Sequence, residues 1–371
     1  MKRILILITI SIISNILIAQ EAKGYHNNGN LKVVGQFDNN GKKTGNWKFY
    51  YKEKDGQLKE IGEYSNEKKT GEWKVYYING ELKTIGYYEN GNRKGIWKFY
   101  YENGKLKEQC VFNDDNIINE WKSYYNNGEL NEVGYYKNDE RTGLWKEYHN
   151  NKQIKAVGDY ENGNKIGIWK YYYNNGQLKE IGEYKKYDFS FNSHSQFGYE
   201  NNPEEEWKEY HKNGNLKSLG RYDDGSKIGE WKFYFESGEL KEIGGFEKDE
   251  KIGVWKEYYK NGKLSASGRY EKDSRHYDDE DIIWDKTGLW TFYYENEQIM
   301  KIGEFKSNLK YGEWKEFYKN GQISSVGRYE LVEIAYSILT IEESKKVGNW
   351  KFYDEKGKLV NSENYIKGEK Q

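Results

Sequence analysis

The chain of 371 residues contains one cysteine, one proline and two methionines, and its charges almost cancel, 59 basic against 60 acidic. Cys110, being alone, can form no internal disulfide, so stability must come from packing. The near-neutral balance removes the usual reason to expect nucleic acid or an anionic membrane as partner, since both select for excess Lys and Arg. Charged residues at 32% and a mean hydropathy of −1.12 resemble a disordered chain. The single proline argues against that, and so do 37 Tyr and 13 Trp. Disordered segments are poor in ring residues, whereas strands favour them. A folded β protein with an aromatic rather than aliphatic interior is the expectation.

Long apolar runs are also scarce; the clearest is at the N-terminus. Lys2 and Arg3 precede an apolar stretch from Ile4 to Ile18 that ends at Ala19-Gln20. A positive start, an apolar middle and a small residue before the cut describe a secretory signal over residues 1–19. A run of fifteen residues is short for a spanning helix, although an uncleaved anchor is the other reading. The expected location is therefore the periplasm, the cell surface or the medium.

Residues 20–371 read as one repeat array. Tryptophan recurs at Trp47, Trp73, Trp97, Trp121, Trp145 and Trp169, at Trp207, Trp231 and Trp255, at Trp290 and Trp314, and at Trp350. The step within each run is 24 residues, apart from a first step of 26. One unit runs from Trp73 through Tyr76-Tyr77, Asn79-Gly80, Leu82 and Gly86 to Tyr88 and Asn90-Gly91. A thirteenth copy begins near Ala22 and lacks the Trp. Asn-Gly between alternating apolar runs is a hairpin signal. A type I′ turn centred on Asn79-Gly80 would place Tyr77 opposite Leu82, Val75 opposite Thr84 and Trp73 opposite Gly86. The indole would then shield a strand glycine of its own hairpin, at Gly86, Gly134, Gly158, Gly182 and their equivalents. Cys110 takes that slot once, and its small side chain is expected to fit there as packing.

Because 24 is even and strand side chains alternate, every Trp should share one face, together with the Tyr four residues on and the following Leu. The opposite face receives Lys74, Tyr76, Lys83 and Ile85. The fold class is all-β, an elongated antiparallel β-meander of about thirteen hairpins whose units touch mainly their neighbours.

The units resemble bacterial MORN repeat variants, which read Gly-x-Trp-Lys-x-Tyr-Tyr-x-Asn-Gly-x-Leu-Lys-x-x-Gly-x-Tyr. Gly71-Glu72-Trp73 through Tyr88 and Gly167-Ile168-Trp169 through Tyr184 carry the resemblance. It implies scaffolding, protein docking or lipid association, and it supplies no catalytic residues.

Three steps between the runs are longer still, giving insertions at 185–205, 271–285 and 330–345, all in the same class of connection. They carry Phe189, Phe191, Phe197 and Tyr199, then Asp279 in an acidic run beside Trp284, then Ile338. These are candidate partner loops, or tolerated loop growth. The acidic run lacks the glycine-punctuated spacing of a calcium loop. His26, His149 and His211 stand where other units have Tyr77-type residues, and His194 and His276 lie alone in insertions. No nucleophile–base or metal-spaced grouping occurs, so no enzyme activity, metal or cofactor is assigned. The expected role is an exported scaffold that binds protein, with glycan or cell-wall binding through tyrosine rows as the alternative and membrane association third. No nucleic acid and no strong anionic-membrane binding are expected.

Overall fold

A computed structural model describes residues 20–185, 203–272, 284–336 and 339–371. Residues 1–19, expected to be a signal, and Phe189, Phe191, Phe197, Tyr199, Asp279 and Ile338 lie outside them. The described residues form 27 strands and no helix. They divide into two compact units, up to residue 142 and from residue 143. Within each unit, successive strands pair antiparallel in chain order, as a meander requires.

The hairpins hold the expected register near the tryptophan and depart from it near the turn. Trp73 faces Gly86 and Val75 faces Thr84 as expected, but a bulge after Val75 brings Tyr76, not Tyr77, opposite Leu82. The physical reason lies in the turn. Of its residues only Gly80 is left-handed (φ 99°); Asn79 is not, so the turn is not type I′. Instead the Gly80 amide donates to the Tyr77 carbonyl and the Tyr77 amide to the Glu81 carbonyl, a three-residue loop closed by a glycine bulge. The two-residue type I′ turns sit in the other connection. Asn90 and Gly91 both have positive φ (52° and 94°), and the next strand already starts at Asn92. Asn119 stands in the slot of Gly71 and Gly95, and like them is left-handed.

The third insertion continues its hairpin rather than forming a loop. The strands Ile323–Tyr336 and Leu339–Tyr353 pair out to Tyr336 against Leu339. The strand Trp284–Tyr293 likewise begins early, with Trp284 opposite Lys272.

Candidate docking face

The tryptophan face of each unit is closed by its own packing. Eleven of the twelve repeat tryptophans are at most 5% exposed. Ten of the indoles cover a glycine, but of the preceding strand rather than of their own hairpin partner. Trp73 lies over Gly62, Trp97 over Gly86, Trp169 over Gly158 and Trp207 over Gly182. The cause is the bulge on that side: Ile61 pairs with Lys74 and Glu63 with Thr70, which leaves Gly62 unpaired beneath the ring. The indole N–H then reaches the next carbonyl, Trp73 Nε1 donating to Glu63 O at 3.1 Å and Trp169 Nε1 to Asp159 O at 3.1 Å. These tryptophans therefore splice one hairpin to the one before it.

The aromatic partner in this seam is the ring two residues after the glycine. Tyr160 sits edge-on between Trp145 and Trp169, at centroid distances of 5.6 and 5.1 Å, and Tyr222 bridges Trp207 and Trp231. Lysines four residues before the Trp lie over the outer ring face, from 3.7 Å for Lys251–Trp255 to 5.4 Å for Lys227–Trp231. Burial holds Lys286 and Lys310 below the ordinary lysine range in these positions. The regular Gly-x-Tyr spacing was the available signal for this role.

The Tyr77-type residues, assigned from sequence to the seam, join neighbouring turns instead. Tyr77 Oη donates to Tyr100 O at 2.8 Å and Tyr101 Oη to Tyr124 O at 2.7 Å. His26, His149 and His211 make the same link through Nε2, to the carbonyls of Tyr50, Tyr172 and Tyr234. Since a carbonyl only accepts, Nε2 carries the proton in each. Asn79 and Asn103 add side-chain bonds to the turn of the next unit.

Cys110 breaks the pattern. A Cβ on any other covered glycine would overlap the indole; at Gly86 it would stand 2.6 Å from the Trp97 Cγ. Cys110 brings a whole side chain there, fully buried against Trp97 and Phe112, so it does not simply substitute for glycine. Trp121 is accordingly the one repeat indole only half-buried, and its Nε1 donates to the Glu108 carboxylate at 2.7 Å rather than to a backbone carbonyl. Burial, then the Glu108 charge, pushes the Cys110 thiol up to about 12, which leaves it unreactive at neutral pH. In Cys110→Gly the indole should settle onto the strand. Acrylamide quenching is expected to lose one accessible indole relative to the parent chain; unchanged quenching would show that Cys110 does not displace Trp121.

The buried tyrosines give a second prediction. Burial first, with nearby carboxylates adding, pushes Tyr222 and Tyr270 up to about 12. Their raised values mean that the fold favours the neutral phenol. That stabilisation is complete below the ordinary value near 10 and is lost as pH rises towards 12. Near-UV circular dichroism should therefore collapse between about pH 10 and 12, together with ionisation of these rings read by absorbance. Normal ionisation of all tyrosines near pH 10 with the dichroism intact would refute the assignment.

Among the described residues the opposite face is open. In the second unit, hydrogen-bonded strands set Ile181 beside Lys208, Lys208 beside Leu219, Leu219 beside Lys232, Lys232 beside Ile243 and Ile243 beside Lys256. This is a cross-strand row alternating aliphatic and cationic, one residue out of phase with the tryptophans. Shallow depressions open along it. One is lined by Ile243, Ile252, Val254, Lys256 and Tyr258 over the backbone of Gly244 and Gly245; another by Ile168, Ile181, Glu206 and Lys208 over Gly182. The first unit has the same feature at Ile61, Glu72, Lys74 and Tyr76 over Gly62. Where the residue before Trp is Glu it pairs with this lysine, as in Lys208–Glu206 at 2.5 Å and Lys74–Glu72 at 2.7 Å. Where it is Ile168 or Val254, more than half exposed, an apolar side chain takes that place, although Glu183 and Glu206 line the depression at Ile168 and Glu230 lines the one at Val254. Among the described residues no group of three His, Cys, Asp or Glu could hold a metal ion, and no helix is long and apolar enough to cross a membrane.

No curated protein matches the sequence. Among solved structures, a crystal structure of TcdB2–TccC3–Cdc42 aligns over 94% of this chain and 22% of that one, at 10% identity and a TM-score of 0.14. The chain thus spans less than a quarter of that match. The family model described as MORN repeat variant matches twelve stretches between residues 21 and 367, including the Trp-less copy at 21–39. Such repeats are commonly protein-interaction or membrane-associated modules, and the scaffold is typically non-catalytic. With these matches covering well over half of its length, the chain belongs to the MORN repeat variant family.

Proposed function

We propose that this protein is an exported, non-catalytic scaffold whose open face docks protein partners. One observation carries the reading. The tryptophan face is occupied by its own indoles, rings and lysines, whereas the opposite face has, among the described residues, an aliphatic–lysine row and half-buried tyrosines without a covering layer. Tyrosine supplies contact area at low rotamer cost, and repeated depressions multiply weak contacts. Export rests on the composition of residues 1–19.

A photo-crosslinking residue at position 181, on the open face, is expected to yield protein adducts in cells, whereas one at buried position 169 yields none. Adducts arising only from positions 185–205 or 271–285 would move docking to the insertions. N-terminal sequencing should find a mature chain starting at Gln20; an intact Met1 in the cytosol would end the export reading. Glycan binding through the open tyrosines is the second reading, supported by Tyr87 and Tyr135 at 50% and 48% exposure.

A further inference from the structure

We infer that the open face of the second unit receives a proline-rich segment in the polyproline II conformation; this rests on the docking reading above. Tyr172, Tyr210, Tyr234 and Tyr258 occupy the same register position in successive hairpins, two strands apart. Strands lie about 4.8 Å apart, so this tyrosine row repeats every ~9.6 Å, and so does the aliphatic row of Ile181, Leu219 and Ile243 beside it. A polyproline II helix has three residues per turn and rises about 9.3 Å per turn, so every third side chain meets the next depression. An extended strand laid across the row presents same-face residues every ~6.6 Å and falls out of step. An α-helix offers every seventh residue at ~10.5 Å, a poorer match that drifts from one hairpin to the next.

Hydrogen bonding separates the candidates further. The Tyr234 and Tyr258 hydroxyls make no side-chain hydrogen bond among the described residues, unlike the Tyr77-type rings that link turns. Polyproline II has no internal hydrogen bonds, so each turn offers free carbonyls that such hydroxyls can serve. An α-helix has used its carbonyls internally. The depression lined by Tyr258, Ile243, Ile252 and Val254, with Glu230 and Lys256 among its lining and glycine backbone beside them, offers apolar and aromatic surface of the kind proline rings occupy. Glu230 in the same lining pairs with Lys232 at 3.3 Å, and Lys256 has Val254 two residues before it, so Lys256 can meet an acidic residue beside the proline segment. The chain has one proline of its own, so the occupant is a separate polypeptide.

The test is titration of the full chain with a fluorescent synthetic peptide of Leu-Pro-Pro triplets flanked by Glu. A peptide of identical composition in scrambled order is the control. The triplet peptide is expected to bind, and Tyr258→Ala or Ile243→Ser to weaken it about tenfold or more. Both variants should keep the near-UV dichroism of the indoles, because they alter the opposite face. Equal binding by the scrambled peptide, tighter binding of an acidic amphipathic helix, or no binding would overturn the inference. If the triplet peptide fails while crosslinks at position 181 persist, this inference falls and protein docking stands. A soluble β-linked glycan that binds the same row, with no protein adducts, removes both.

Discussion

Replacing Trp169 by alanine will destabilise its part of the second unit by about 3–5 kcal/mol, the range for removing a large buried aromatic. The indole is fully buried, donates to the Asp159 carbonyl, lies beneath Lys165 at 4.5 Å and touches Tyr160 and Tyr171 at 5.1 and 5.9 Å. Its loss opens a void and uncovers the backbone of Gly158 at once. Because it splices two hairpins, the damage should be local. Amide exchange is expected to quicken in the strands Ile154–Glu161, Asn164–Tyr172 and Leu178–Tyr184 while those beyond Pro203 stay protected. A uniform rise across residues 143–371 would falsify the nearest-neighbour picture.

Gly158→Ala should destabilise the same junction by about 1–3 kcal/mol through overpacking. The added methyl would stand 2.5 Å from the Trp169 Cγ, inside any permitted contact, while the ring is held by its hydrogen bond and flanking aromatics. Backbone strain plays no part, since Gly158 is not left-handed; Gly167, with φ 61° and nothing near its absent Cβ, is the contrasting case. The decisive measurement is the double-mutant cycle. With Trp169 already alanine, the 158 methyl has no ring to strike, so its penalty should vanish and the coupling should equal most of the single-mutant effect. Additive penalties would mean the glycine serves some purpose other than receiving the indole. Cys110 is the natural version of this experiment: the slot is filled and Trp121 is displaced.

Much of this was legible in the chain because strand geometry is a period-two code. The 24-residue step puts all repeat tryptophans on one face and Lys74, Tyr76 and Ile85 on the other, and no packing information is needed to see it. The interchange of Tyr and His at one position was visible too, although its purpose, a bond to the carbonyl of the next turn, was not. Turn geometry misled where Asn-Gly occurs in both connections. The dipeptide is equally compatible with a glycine-closed three-residue loop and a type I′ pair, and only the flanking strand ends choose.

What the sequence alone determined, then, is the hairpin count, the register of Trp73 against Gly86 and, up to the bulge after Val75, the division of residues between two faces, all local consequences of alternation and glycine placement. Which strand each indole covers, which ring wedges between indoles and which face is left open were decided by the bulge beside each glycine. A bulge takes one residue out of the ladder, and its effect on side-chain direction appears only once the neighbouring strand is in place. The open row of Ile181, Lys208, Leu219, Lys232, Ile243 and Lys256 comes from that assembly, since its members are far apart in the chain and adjacent only through pairing.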